Sequence, residues 1–244
     1  MTTGRSPPRV PLTFRVGTTG SRVLADGAVA GLRRQIRAVL GEVALVLRDL
    51  AGAARDVGAA AGPGVIVPQL RVLSPLAEGA DRLVAQAALS LGWALEVPMP
   101  FAQADYEADF PATVDAFRAL LARATHRLEL DGSHGADEAR SYEAVGQYVV
   151  ENADLLIAVW DGHPARGRGG TGDIVRFAAR AGVPVWWLPS DGAGPPRLLR
   201  TQLDLSEPNW APAGAAATEA LGEVLRRAVL LARPDAPHAG TAAG

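Results

Sequence analysis

The sequence predicts an α/β protein, a single Rossmann-like domain whose mainly parallel sheet is flanked by helices on both faces. Short apolar runs alternate along the chain with longer amphipathic stretches, the order that a parallel sheet with right-handed helical crossovers requires. Three of the junctions that follow apolar runs are unusually rich in glycine and polar residues. One run, Asp154 to Trp160, is nearly all apolar, as a central parallel strand covered on both faces must be.

Taken in order, residues 1–11, with Pro7, Pro8 and Pro11, read as a flexible N-terminal lead. Leu12 to Val16 is the first strand and runs straight into Gly17-Thr18-Thr19-Gly20-Ser21-Arg22. From Gly27, apolar residues recur three or four apart through Val29, Leu32, Ile36, Val39, Val43 and Leu50, the period of a long amphipathic helix. An Ala/Gly stretch, Ala51 to Gly64, is expected to end that helix as a surface connection. Gln69 to Leu73 is the second strand, followed by an Ala/Leu-rich helix that stops near Gly92. Trp93 to Val97 is the third, stopped by Pro98 and Pro100.

The segment Ala104 to Phe110, rich in acids and aromatics, leads through Pro111 into a helix ending near Ala124. His126 to Leu130 is the fourth strand, Asp137 to Asn152 a helix, and Asp154 to Trp160 the fifth strand. A long loop, Asp161 to Gly170, precedes a helix over Thr171 to Ala181 and a strand over Val183 to Leu188. Residues 12–190 thus form the expected Rossmann-like domain. Residues 191–233 form a C-terminal extension carrying an amphipathic helix with Leu221, Val224, Leu225 and Ala228 on one side, and 234–244 a disordered tail.

Composition narrows the chemistry. Zero cysteines remove disulfides, thiol nucleophiles and thiolate zinc sites together. All 24 basic residues are arginine, which excludes a P-loop lysine and Schiff-base catalysis. The four histidines are scattered, none at the helical spacing that sets two imidazoles on one ion, so no metal site is readable and no cofactor is expected. A formal net charge of −2 offers no basic field and disfavours duplex nucleic acid as a partner. With no apolar run of the roughly 20 residues a membrane helix needs, and no basic and apolar leader, the chain reads as cytoplasmic with no membrane partner.

In open parallel sheets, ligands sit beyond the carboxyl ends of the strands. The junction Gly17 to Arg22 offers glycines whose amides can approach an anion, the Ser21 hydroxyl and the fixed bidentate cation of Arg22; it also reads as a tight strand-to-helix turn. In the second junction Gly79 permits a close approach, and Glu78 and Asp81 could accept ribose hydroxyls or simply complement a helix dipole. The third, Gly167 to Asp173, is the most specific. Gly169, Gly170, Thr171 and Gly172 suit a phosphate-clasping loop, with Thr171 as helix cap and Arg166 and Arg168 closing on the anion. A flexible surface loop is the competing reading. Asp161 either orients a ribose, acts as a base or terminates its strand, and Tyr142 either stacks on a ligand or packs.

Taken in this order, the segments Val16 to Arg22, Leu76 to Arg82 leading into Ala87-Ala88-Leu89, Glu151 to Val159 and Gly169 to Asp173 resemble the SLOG superfamily, over about residues 12–190. That superfamily joins the Smf/DNA-processing-A proteins to the Lonely-guy phosphoribohydrolases, and the chain looks like its stand-alone bacterial members. The resemblance implies binding or sensing of a nucleotide, nucleotide sugar or related signal at the glycine-rich loops, with a nucleotide-type small molecule as partner and with a homo-oligomer and an effector protein as further candidates. Its alternative is a phosphoribohydrolase that cleaves the N-glycosidic bond of a nucleoside monophosphate, with Asp173 or Asp161 assisting water. Val145 stands at the spacing where the Lonely-guy enzymes carry their catalytic Arg, and the acid lies in a shorter Gly-Gly-Thr-Gly-Asp arrangement, departures that weigh against hydrolysis. Single-stranded DNA binding, by analogy with the DNA-processing branch, draws the least support from so neutral a chain.

Overall fold

The computed structural model describes residues 12–57, 68–135, 137–199 and 220–226. The expected lead, the tail and most of the C-terminal extension lie outside the described residues. The chain forms β1 (Thr13–Gly20), α1 (Asp26–Val57), β2 (Gln69–Leu73), α2 (Ala80–Ser90), β3 (Ala94–Met99), α3 (Gln103–Glu107) and α4 (Val114–Leu121). There follow β4 (His126–Glu129), α5 (Glu138–Glu151), β5 (Leu155–Trp160), α6 (Thr171–Ala181), β6 (Val185–Pro189) and β7 (Arg197–Leu199). The α/β class is as expected.

The sheet runs β4-β3-β2-β1-β5-β6-β7, parallel throughout except for β7, which pairs antiparallel with β6. From β1 the chain builds outward to the β4 edge; α5 then carries it back across the sheet so that β5 pairs with the other side of β1. The order therefore reverses between β1 and β5, and the connections that leave these two strands lead to helices on opposite faces of the sheet, α1 on one and α6 on the other.

Alternation along β5 shows why it is apolar on both faces. Leu155, Ile157 and Val159 point into the cluster formed with the α1 stripe Leu32, Ile36, Val39, Leu40, Val43 and Leu47. Leu156, Ala158 and Trp160 point the other way, against Val149 and Val150 of α5 and Ile174, Val175 and Ala178 of α6. Residues 220–226 are helical, and Leu221 and Leu225 bury into the α1-side cluster.

Four elements differ from expectation, the first being β3, which is not stopped by Pro98 but runs through it to Met99, paired with Leu128 and Glu129 of β4. Strand β1 does not stop at Val16: Gly17 to Gly20 pair in register with Leu156 to Val159, and the Ser21 amide still donates to the Val159 carbonyl (3.0 Å). Helix α1 continues to Val57, since alanines in the stretch after Leu50 keep helical propensity high. Strand β7 forms in a Pro/Gly-rich stretch, where tertiary pairing with β6 outweighs local propensity.

Candidate functional site

At the point where strand order reverses lies a cleft of about 540 Å³. Its walls come from four segments. The end of β1 supplies Thr18, Thr19, Gly20, Ser21 and Arg22, and the β2–α2 junction supplies Pro75, Ala77 and Asp81. Helix α5 supplies Tyr142, Val145 and Gly146, and the β5–α6 loop supplies Arg166 to Thr171.

The third junction behaves largely as its composition suggests. Gly169 sits at φ 77°, a left-handed conformation that also presses the loop onto α5, where a Cβ would lie 2.7 Å from the Glu143 amide nitrogen. Gly170, not Thr171, is the N-cap of α6, and no side chain caps the helix. By helix geometry the N–H groups of Thr171 and Gly172 precede the first helical acceptor and leave the cleft side of the helix with positive partial charge. Arg168 Nε donates to Glu143 Oε2 at 2.5 Å, whereas Arg166 and Arg22 form no ion pair among the described residues. Neither guanidinium is within ion-pair distance of a carboxylate among the described residues, although the Arg22 charge still acts on Asp81 and Asp109.

The first junction requires correction as a loop. The backbone of Gly17 to Gly20 is committed to the ladder with β5. Gly17 does not line the cleft: a Cβ there would stand 2.8 Å from Val149 Cγ1, so the glycine lets α5 approach the sheet. Thr18 to Arg22 do reach the cleft. Arg22 lies over the Tyr142 ring, 4.5 Å from its centroid, and the Tyr142 hydroxyl donates to Asp109 Oδ2.

The second junction divides. Asp81 is only 7% exposed and lines the cleft floor, where Thr18 Oγ1 donates to its Oδ1 (3.0 Å). Burial pushes its carboxyl up to about 7, against the opposing pull of the Thr18 hydrogen bond and the nearby Arg22 and Arg82 charges. Glu78 and Gly79 lie outside the cleft, on a neighbouring depression. Glu78 accepts the Thr113 hydroxyl on one of its oxygens. Gly79, at φ 75°, would set a Cβ 2.3 Å from the Arg22 carbonyl oxygen, so its glycine permits the β1 exit and the α2 entry to touch. Between these, Leu76 holds a left-handed φ of 62°, and its carbonyl accepts Arg82 Nε (2.9 Å).

Neither proposed acid reaches the cleft lining. Asp161 is exposed and accepts the His163 amide (3.0 Å), closing its own turn. Asp173 faces Arg176 (3.6 Å) along α6, and Gly172 is buried against Ala165 and the His163 carbonyl. Val145, at the position of the Lonely-guy arginine, is an apolar part of the wall.

Sequence reading missed Tyr106. Helix α3 folds the acid-rich segment back over the end of β3, and the Tyr106 ring packs edge-on against Phe110 and Phe117. Tyr106 lines the cleft, and its hydroxyl is fully buried with no hydrogen-bond partner among the described residues. Burial raises its ionisation well beyond the ordinary tyrosine value, so it stays a neutral donor. An aromatic flanked by acids just past a strand's carboxyl end was the available signal. Gly146 was missed as well; a Cβ there would meet Ile174 Cδ1 at 2.4 Å, so this glycine sets the α5–α6 approach.

No helix of the described residues is long and apolar enough to cross a membrane. No protein-family model matches the chain, and no curated protein matches it. Among solved structures, DNA processing protein A from Streptococcus pneumoniae is similar at 16% identity and a TM-score of 0.48, over 74% of this chain and 54% of that one. The chain therefore spans about half the length of that protein. DNA processing protein A from Helicobacter pylori, in a structure described as giving insights into its unique single-stranded DNA binding mode, is similar at 15% identity and a TM-score of 0.46, over 88% of this chain and 81% of that one. The expectation of a nucleotide-type small molecule as partner is thereby corrected: the similar protein with a named ligand binds a single strand. Motifs could not separate the two, because a free nucleotide and a nucleotide within a strand present the same phosphate, sugar and base. Both of these solved structures are of DNA processing protein A, and the likeness of this chain to them is one of fold.

Proposed function

We propose that the cleft between the ends of β1 and β5 binds single-stranded nucleic acid, holding one nucleotide unit with its phosphate against Arg22, Arg166 and the start of α6. The observation that carries this reading is the pairing of two guanidinium groups that lack a carboxylate partner among the described residues with a buried, unpartnered Tyr106 hydroxyl on the same cleft. A buried hydroxyl with no acceptor is costly, by about 1–3 kcal/mol, and a ligand that accepts its hydrogen removes that cost. The volume of about 540 Å³ has room for a nucleotide unit. Local charge, not net charge, decides binding here: the near-neutral chain still concentrates Arg22, Arg166 and Arg168 on one cleft.

Thr18, Thr19, Gly20, Ser21, Asp81, Tyr142, Gly169, Gly170 and Thr171 complete the proposed contact surface, the Arg22–Tyr142 pair giving a base a flat face to stack on. Gly17, Glu78, Gly79, Asp161, Gly172 and Asp173 are not part of it. Without an acid on the lining other than Asp81, whose carboxyl is held by Thr18, hydrolysis draws no support from the geometry.

Fluorescence anisotropy with a labelled oligothymidylate tests the reading. Two arginine contacts predict a slope of about −1.4 in log K against log salt, about a 7-fold loss between 50 and 200 mM. Arg166→Ala should reduce the slope to about −0.7 and weaken binding to the strand. No binding of the strand at low salt, or a slope unchanged by Arg166→Ala, refutes the proposal.

A further inference from the structure

Beside the cleft, three side chains from three segments meet. Asp109 lies between α3 and α4, His134 in the β4–α5 loop, and Glu138 in the first turn of α5. One ring nitrogen and one oxygen from each carboxylate lie within 4.8 Å of one another. The cluster joins an imidazole to two carboxylates, and the surroundings orient two of its members from outside. His134 Nε2 stands 2.8 Å from the Asp105 carbonyl oxygen, which can only accept, so the ring hydrogen sits on Nε2. The ring stacks on Phe101 with centroids 4.3 Å apart. Asp109 in turn accepts the Tyr142 hydroxyl. Asp109 Oδ1 stands 3.7 Å from the same Nε2, and Glu138 Oε1 lies on the Nδ1 side; an imidazole N–H held by a backbone carbonyl, with its other nitrogen free to face a ligand, is the arrangement that metal-ligating histidines use.

The free nitrogen decides what belongs there. His134 Nδ1 faces Glu138 Oε1 at 3.5 Å. In the neutral ring both atoms present lone pairs to each other, and a cation between them would satisfy both. A proton would draw them to about 2.7–2.9 Å. Two ligands each about 2.1 Å from a tetrahedral ion stand about 3.4 Å apart, which matches the observed spacing. The Asp109 side chain is 10% exposed, while those of His134 and Glu138 are 34% and 40% exposed, leaving an entry path and room for water.

We propose that Asp109, His134 and Glu138 hold a divalent transition-metal cation, with water completing its coordination. One imidazole with two carboxylates suits Zn²⁺ or Mn²⁺, whereas Mg²⁺ keeps to oxygen ligands and most of its water. This site stands independently of the strand-binding reading. An ion there would tie the α3–α4 turn, the β4–α5 loop and the start of α5 together.

The test is titration of the full chain with ZnCl₂ alone and with MnCl₂ alone, by calorimetry and by thermal denaturation. Absence of cysteine removes thiol background. Saturable uptake of one equivalent with a raised Tm is expected. His134→Ala and Glu138→Gln should each weaken binding at least tenfold while their metal-free Tm values stay near that of the parent. Mn²⁺ should broaden the His134 imidazole resonances ahead of those of His126 and His163. No uptake of either ion by the parent overturns the proposal, as does uptake that both variants retain at parental affinity. Preferential broadening of His126 or His163 overturns it equally.

Discussion

Replacing Asp81 with asparagine isolates the energetics of the cleft floor. The carboxyl is buried, accepts one hydrogen bond from Thr18 and is pushed from its ordinary value of 3.8 to about 7. In the unfolded chain it ionises near the ordinary value, so between these two pH values the folded state binds the extra proton. Folding is then favoured by low pH: the contribution is fully present below 3.8 and is lost as pH rises to about 7. At 1.36 kcal/mol for each pH unit, that distance amounts to about 4 kcal/mol. The interior relaxes around a charge, and Arg22 and Arg82 lie nearby, so a loss of about 2–4 kcal/mol is the expectation. Asparagine keeps the acceptor for Thr18 and carries no titratable proton. Urea unfolding of both proteins from pH 4 to pH 8 therefore reads the Asp81 contribution as a difference, with other groups cancelling. The Asp81→Asn chain should be close to the parent in stability at pH 4 and more stable by about 2–4 kcal/mol at pH 8. A difference that does not change with pH refutes the reasoning, since it would mean that the carboxyl titrates alike in the folded and unfolded chain.

Two further substitutions probe the surroundings. Tyr106→Phe removes the buried, unpartnered hydroxyl, so it should leave stability unchanged or raise it by about 1 kcal/mol in urea unfolding while weakening oligothymidylate binding severalfold. Lower stability would reveal a partner for that hydroxyl within the fold. Gly79→Ala forces a Cβ to within 2.3 Å of the Arg22 carbonyl at a left-handed φ, and a cost of at least about 2 kcal/mol is expected, read as a lower Tm. An unchanged Tm would mean that the β1 exit and the α2 entry separate freely.

The alternation of elements was legible because it depends on local periodicity. The α1 stripe from Leu32 to Leu47 and the two-faced apolar run of β5 each carry their own period, whatever the chain does elsewhere. The Gly169-Gly170-Thr171 loop was legible for a similar reason, since glycines ahead of a helix turn locally. The ends of elements were less so. Gly17 to Gly20 look like a loop until β5 arrives to pair with them, and Gly17 is glycine because Val149 of α5, distant in sequence, packs on it.

What the sequence by itself determined is therefore the α/β class, the elements of the sheet up to β6, and a glycine-rich turn ahead of α6. Tertiary structure alone decided that α5 crosses back over the sheet and seats β5 beside β1, which creates the cleft. It also decided that Tyr106 enters that cleft while Glu78, Asp161 and Asp173 turn to Thr113, the His163 amide and Arg176. The same packing gathers Asp109, His134 and Glu138 from three segments. Periodicity is a property of neighbours along the chain, whereas a site is made by groups far apart in it, and their meeting follows from strand order, which local sequence does not encode.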